Sequence, residues 1–335
     1  MGDHVVTDVA GRDVEVPEEP ERILGIGAGT LRQLALMDVT DRVVGVGSLR
    51  EDSLNELPYL VANPELGELP TFGDRGADRD GDAEQILEVE PDVIFLNGDS
   101  SRAEELATRT NTPVVLVDTA NIMHDDGREV LYETWETIGE TLEKEARADE
   151  LETFLEETVA DFEERTADVP DDERAEGYAA AFRFQGAHGL STTRGDTTMF
   201  HYPNVENAID EVESHENSVD LGHERLLEAD PERIFIDVAS VDRVREEVEE
   251  NPELEALAAV QKGEVYPVLQ VYRDMRNFGP MIANAYFVGK TSYPDRFDDI
   301  DLETQVDDVF EALFGERIHG DHLNEQFPDV YRPLF

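Results

Sequence analysis

One phrase occurs twice in this chain. Residues 85–96 read Gln-Ile-Leu-Glu-Val-Glu-Pro-Asp-Val-Ile-Phe-Leu, and residues 225–236 answer with Arg-Leu-Leu-Glu-Ala-Asp-Pro-Glu-Arg-Ile-Phe-Ile. Each copy spells the end of a helix, a stop at Pro91 or Pro231, and a short apolar strand. Proline stops the helix because its nitrogen carries no hydrogen and its ring excludes the preceding residue from the helical region. The runs at 93–96 and 234–236 are continuously apolar rather than alternating, the pattern of strands covered on both faces. Two such units, far apart in one chain, imply two similar α/β lobes. Two lobes imply a cleft as the place for a ligand.

The remaining segments keep this pattern. Val5 to Val16 reads as a hairpin turning at Gly11, and Arg22 to Ile26 as a buried strand. Gly27-Ala-Gly-Thr30 opens a helix through Leu31, Leu34, Ala35 and Leu36, and the runs at 43–46 and 114–117 add strands. Strands alternating with helices build parallel sheets. From 130 to 166 strands are absent. Leu151, Phe154, Leu155, Val159 and Phe162 recur three and four apart, the stripe of an amphipathic helix, and Pro170 ends it. A second α/β series starts near Tyr178 and includes 234–236 and 265–268, and a last helix over 306–314 closes at Gly315. The expected organisation is an N-terminal α/β lobe over 1–129 and a helical region with a long connecting helix over 130–168. A C-terminal α/β lobe over 169–315 and a loosely packed polar tail over 316–335 complete it. A helix between the halves, in place of a Gly/Ser linker, restricts hinge motion.

Charge narrows the function. The 335 residues include 80 acidic and 27 basic side chains, a net charge of −53, and the only lysines are Lys144, Lys262 and Lys290. Such a balance is compatible with disorder, but the repeated apolar strands point to a folded protein with a carboxylate coat suited to molar salt. At 1 M salt the screening length is about 3 Å, which suppresses self-repulsion. The same charge excludes generic nucleic-acid binding, which needs clustered Lys and Arg. Without cysteine there are no disulfides, thiolate metal sites or thiol nucleophiles. No apolar run approaches the roughly 20 residues of a membrane span, and Met1 to Val6 lacks a signal-peptide pattern. Either the protein is cytoplasmic or a leader precedes it.

Three segments carry a family resemblance. Val6 to Val16 with Pro17, Pro20 and Ile23 resembles the opening of solute-binding proteins of the iron-siderophore and cobalamin class of ABC importers. Glu84 to Leu96 is similar to that family's helix-Pro-Asp-strand signature. Asn284-Ala-Tyr-Phe-Val-Gly-Lys290 with Tyr293-Pro-Asp-Arg-Phe297 resembles the C-terminal helix region of its iron-type members. The order and spacing of the segments, from about 5 to 315, make the resemblance specific. It implies two α/β lobes joined by one long helix, with a ligand cleft between them. It also implies an extracellular protein at the cell surface, a monomer, that captures a metal chelate and delivers it to a permease with its ATPase subunits. Family members dock through one surface glutamate per lobe. These map onto Glu84 and Glu224, each seven residues before its proline, although in so acidic a chain ordinary solvated residues are the competing reading.

In open α/β sheets ligands gather at the carboxyl ends of strands. Those positions are Thr30, Arg50, Arg75 and Asn97 to Asp99 in the first half, and Arg183, Gln185, His188, His201, Tyr202, Tyr272 and Arg273 in the second. Gly27 to Thr30 is open to two readings, an anion site at a helix N-terminus or a tight turn capped by Thr30. Arg183-Phe-Gln-Gly-Ala-His-Gly189 is sharper, since an arginine and a histidine on a glycine-rich strand exit suit an anionic ligand better than a core. His188 has three open roles: metal ligand, donor to an oxyanion, or structural residue. Tyr202, Tyr272 and Arg273 suit stacking on a chelate and pairing with its charge.

The ligand order that the resemblance implies is a ferric siderophore or haem-type chelate first, a molybdate or tungstate oxyanion second, and cobalamin third. A bare cation lacks the spaced His and carboxylate ligands it needs, and no resident metal or cofactor is expected. An α/β enzyme working in the cleft is the competing class. It lacks support, since there is no His-Glu-x-x-His, Gly-x-Ser-x-Gly or phosphate-loop motif. His319-Gly-Asp-His322 in the tail reads as incidental.

Overall fold

The computed structural model describes residues 3–47, 53–72, 83–182, 187–195, 197–209, 218–272 and 276–335. They form two compact units, 1–156 with 310–318 and 157–309 with 319–335.

The first unit opens with a hairpin, β1 (Asp3–Thr7) and β2 (Asp13–Pro17), paired antiparallel from Asp3↔Pro17 to Thr7↔Asp13. Its turn is at Gly11, whose φ of 73° suits glycine. Asp8 takes the Ala10 and Arg12 N–H groups on Oδ1 and the Leu116 N–H on Oδ2, while Arg12 reaches the Val114 carbonyl at 2.9 Å. One buried carboxylate thus shapes the turn and ties the hairpin down. β3 (Ile23–Ile26), α1 (Thr30–Leu36), β4 (Val46–Gly47), α2 (Ser53–Glu56), α3 (Pro58–Ala62) and β5 (Thr71–Phe72) follow. Next come α4 (Ala83–Glu88), β6 (Val93–Leu96), α5 (Ser100–Thr110) and β7 (Val114–Leu116). The parallel order β3-β6-β7 is the central sheet, with β4-β5 as a second parallel pair. The expected strand at 43–46 is shorter than its sequence suggests: Val43 makes only an isolated bridge to Ile23 before β4. Leu24, Ile26, Ile86, Ile94, Leu96, Leu106 and Leu116 form one core, each worth about 1.5–3 kcal/mol on burial.

The helical region is two helices, α6 (Asp125–Leu142) and α7 (Glu145–Thr166). Glu143, with φ 56°, ends the first in the left-handed conformation. One division between the units falls within α7, the long helix expected from the stripe, and the chain crosses between them again at 309–310 and 318–319.

The second unit contains β8 (Glu176–Ala180), β9 (Thr192–Thr193), α8 (Thr198–His201), β10 (Glu206–Asn207), β11 (Val219–Asp220), α9 (Gly222–Ala229) and β12 (Ile234–Asp237). They are followed by α10 (Val241–Glu250), α11 (Ala258–Lys262), β13 (Val265–Val268), α12 (Phe278–Ser292), α13 (Leu302–Phe314) and α14 (Asn324–Gln326). β8, β12 and β13 are parallel, whereas β9 and β11 run antiparallel at one edge in the order β11-β9-β8-β12-β13, and β10 joins β8.

The repeated phrase is a repeated structure. α4 leads to β6 as α9 leads to β12, and the residues before the prolines, Glu90 (φ 44°) and Asp230 (φ 40°), are both left-handed. Proline disfavours the right-handed helical region at its predecessor, and the chain leaves each helix through the same uncommon conformation.

The tail is not loose, which corrects the expectation for 316–335. Tyr331 and Leu334 donate their N–H groups to the Pro267 and Val265 carbonyls, both at 2.8 Å, covering the outer edge of β13. Leu323, Val330 and Leu334 are buried, and the Tyr331 hydroxyl donates to Asn284 Oδ1 at 2.8 Å. Its apolar residues follow no regular period, so the sequence pattern hides them. An unpaired sheet edge is a site for unwanted pairing, and the tail covers it.

Candidate functional site

In the first unit the strand exits are knitted together. Asn97, just past β6, donates its side-chain amide to the Ala28 carbonyl and to Thr119 Oγ1, both at 3.0 Å, and its backbone N–H to the Ile26 carbonyl at 3.0 Å. Gly27 has φ 92°, and a Cβ there would sit 2.5 Å from the Asn97 carbonyl oxygen, so only glycine fits. Asp99 caps α5 by accepting the Arg102 N–H at 2.9 Å. Thr30 does not serve as expected. It is fully buried, its hydroxyl donates to the Ile26 carbonyl at 2.8 Å, and Gly29 rather than Thr30 is the cap of α1. A threonine hydroxyl in a first turn finds the carbonyl four residues back, so the proton of the Thr30 hydroxyl is already engaged.

In the second unit the carboxyl ends of β8 and β13 and the residue after the short antiparallel β9 bring together side chains of a different kind. Tyr272 follows β13 and stands edge-on to Phe182 with ring centroids 5.9 Å apart. The guanidinium of Arg194, just past β9, lies 3.9 Å from the centre of the Tyr272 ring, although the arginine is only 6% exposed. Phe182, Thr197, Thr198, Met199, Val271, Tyr272 and Met281 line a small cavity beside it of about 10 Å³, room for one water molecule. Asn284 holds the β13 exit by donating to and accepting from the Leu269 backbone at 2.9 and 3.0 Å. Asn277 takes the next turn through the Val271 carbonyl. A guanidinium stacked on an aromatic face keeps its N–H groups in plane, where they suit a flat or tetrahedral anion.

His188 lies half-buried in the loop after β8, its backbone N–H 3.4 Å from Ser240 Oγ. His201 and Tyr202 are not at the carboxyl ends, a second correction. They finish α8 where the chain turns toward β10, which pairs with the beginning of β8. Tyr202 is buried with its ring 5.6 Å from Phe162 of α7, a core contact. Arg50, Arg75, Arg183, Gln185 and Arg273 lie outside the described residues. Arg194 escaped the sequence reading. The signal available was its position after Thr192-Thr193, whose strand character two residues are too short to reveal.

Glu84 and Glu224 occupy equivalent places, exposed in the first turns of α4 and α9. Among the described residues no group of three or more His, Asp and Glu could hold a metal ion, and no helix is long and apolar enough to cross a membrane. His319 is buried, its ring 5.6 Å from that of Tyr331, and burial holds its pKa below the usual value.

The family model for periplasmic binding proteins matches residues 27–270. The chain belongs to the periplasmic binding protein family. The molybdate-binding protein MolA of Haemophilus influenzae is 25% identical, covering 94% of this chain and 92% of that protein. Its molybdate-bound structure superposes with a TM-score of 0.72 at 22% identity over 94% of this chain and 99% of that one. A solute-binding protein from Veillonella parvula superposes over the whole of both chains with a TM-score of 0.80 at 19% identity. The petrobactin-binding protein YclQ of Bacillus subtilis reaches 0.59 at 16% identity, covering 93% of this chain and 99% of that one. This periplasmic binding protein is therefore a solute-binding component of an ABC transporter, whose neighbours are transport proteins rather than enzymes. Such proteins bind small ligands and work with a permease and its ATPase.

Proposed function

We propose that the protein captures a small anionic metal species outside the cytoplasm, as a monomer held at the cell surface, and delivers it to its permease. The observation that carries this reading is Arg194 stacked on Tyr272 at the strand exits of the second unit. In a chain of net charge −53, a buried arginine beside a small cavity is a local exception to the prevailing potential. Two ligands share the chemistry. An oxyanion of the molybdate class is favoured by the full-length relative. An anionic ferric chelate is favoured by the partly exposed ring of Tyr272, which offers stacking surface. Arg183, Gln185, His188 and Arg273 remain candidates for the same ligand, Arg50 and Arg75 remain ligand candidates of the first unit, and Glu84 and Glu224 remain candidates for permease docking.

A thermal-shift titration in multimolar KCl separates the ligands: molybdate, tungstate, ferric citrate, a ferric hydroxamate, haem and cobalamin. A ligand at 100 times its dissociation constant adds about 2.7 kcal/mol. The expected result is a shift with one anionic species, reduced at least tenfold in affinity by Arg194→Ala. No shift with any of them, or full affinity in Arg194→Ala, refutes the reading.

A further inference from the structure

Three separate fastenings join the loop after β8 to the helix that carries Glu224. The first runs through Glu247 on α10, which is 4% exposed. Its Oε2 accepts the Leu190 N–H at 2.8 Å, and its Oε1 lies 2.7 Å from Nε2 of His223 in the first turn of α9. Gly189 passes so close that a Cβ would meet Glu247 Oε2 at 2.3 Å, so the carboxylate occupies the space of a side chain. The second runs through Asp220. Ser191 Oγ donates to Asp220 Oδ1 at 2.7 Å, and the same oxygen accepts the Gly222 N–H at 3.0 Å. The third is backbone: the Leu221 N–H donates to the Ser191 carbonyl at 3.0 Å, beside the β9–β11 pairing of Thr192 with Asp220. The near end of the loop is held as well, because Ser240, which receives the His188 N–H, donates its hydroxyl to the Ala181 carbonyl at 2.7 Å.

Burying a carboxylate is costly unless it is fully paired. Glu247 directs both oxygens away from its own helix, one to the loop and one to α9, while His223 Nδ1 faces Glu253 at 3.8 Å. A residue serving α10 alone would not be built this way. The loop holds His188, and Glu224 follows His223 directly in the chain.

We propose that Glu247 and His223 are positioning residues that transmit the state of the 187–191 loop to the exposed face of α9, so that ligand occupancy is presented to the permease through Glu224. The inference rests on the ligand and docking roles proposed above. Coupling of this kind is reciprocal: loosening α9 at His223 loosens the loop, and ordering the loop orders α9.

Hydrogen exchange on the full chain in multimolar KCl tests both directions. His223→Gln leaves every loop residue in place, yet the amides of Leu190 to Thr192 should exchange about tenfold faster, the effect of weakening a charge-assisted hydrogen bond. Unchanged loop exchange in this variant overturns the proposal. In the wild type, saturating molybdate or ferric citrate should protect the amides of 222–229. In Glu247→Gln, with the circular dichroism of the native fold, the same probe at saturation should no longer protect 222–229. Protection retained there also overturns it. If neither probe shifts the melting point while His223→Gln still loosens the loop, the ligand assignment falls and the coupling stands.

Discussion

Gly189→Ala tests the Glu247 contact in isolation. The new methyl group would lie 2.3 Å from Glu247 Oε2 and 2.7 Å from its Cδ, distances that real side chains do not adopt. The carboxylate must swing away and give up the Leu190 N–H and the His223 ring. Losing a hydrogen bond to a charged group costs about 1.5–3 kcal/mol. Replacing glycine returns ~0.4–1 kcal/mol by narrowing the unfolded ensemble. With both bonds lost the net loss is about 2–5 kcal/mol, which lowers the melting point of a unit this size by about 4–20 °C. The assay is calorimetry in multimolar KCl on four proteins: wild type, Gly189→Ala, Glu247→Ala and the double variant. With Glu247 already truncated, the methyl group at 189 has space, so Gly189→Ala should then be neutral or slightly stabilising. The expected coupling is therefore about the full size of the single-variant loss. An equal loss in both backgrounds would mean that the contact is not the cause, and would refute the reasoning.

Charge reversal at Glu84 and Glu224 together should abolish uptake while leaving ligand affinity unchanged; transport at wild-type rates in cells carrying the double variant would end the docking assignment. Dilution from multimolar KCl into salt-free buffer should unfold the protein, since 80 carboxylate residues then repel without screening; an unchanged far-ultraviolet circular dichroism spectrum would refute the salt requirement. Acid should destabilise the second unit in two stages. Burial depresses the His319 pKa, so its stabilising contribution is present above the unfolded value of about 6.5 and is lost as pH falls through the folded value. At lower pH Asp220, whose pKa is depressed first by the Ser191 hydroxyl and then by the Gly222 N–H, loses its contribution in the same direction. His319→Gln should remove the first stage from a melting-point profile against pH, and a profile unchanged by that substitution would contradict the assignment.

Sequence alone determined the α/β class, the paired helix-Pro-strand units and the equivalent placement of Glu84 and Glu224. These are local properties. Proline geometry, apolar runs and helical spacing act within a dozen residues, and they survive any arrangement of the units around them. The family resemblance added the transport role through segments whose order, rather than any single residue, was informative. Tertiary structure decided the rest. Whether Thr30 faces a ligand depends on a carbonyl four residues away, and whether Tyr202 lines a site depends on Phe162 of another helix. Arg194 gains meaning only when Tyr272, far along the chain, comes under its guanidinium. The tail shows the same limit. Its apolar side chains have no period because they fit the irregular edge of β13 rather than one face of a helix or strand. Burial and side-chain partnership are properties of contacts between distant segments, and the chain's one-dimensional pattern records only the local half of them.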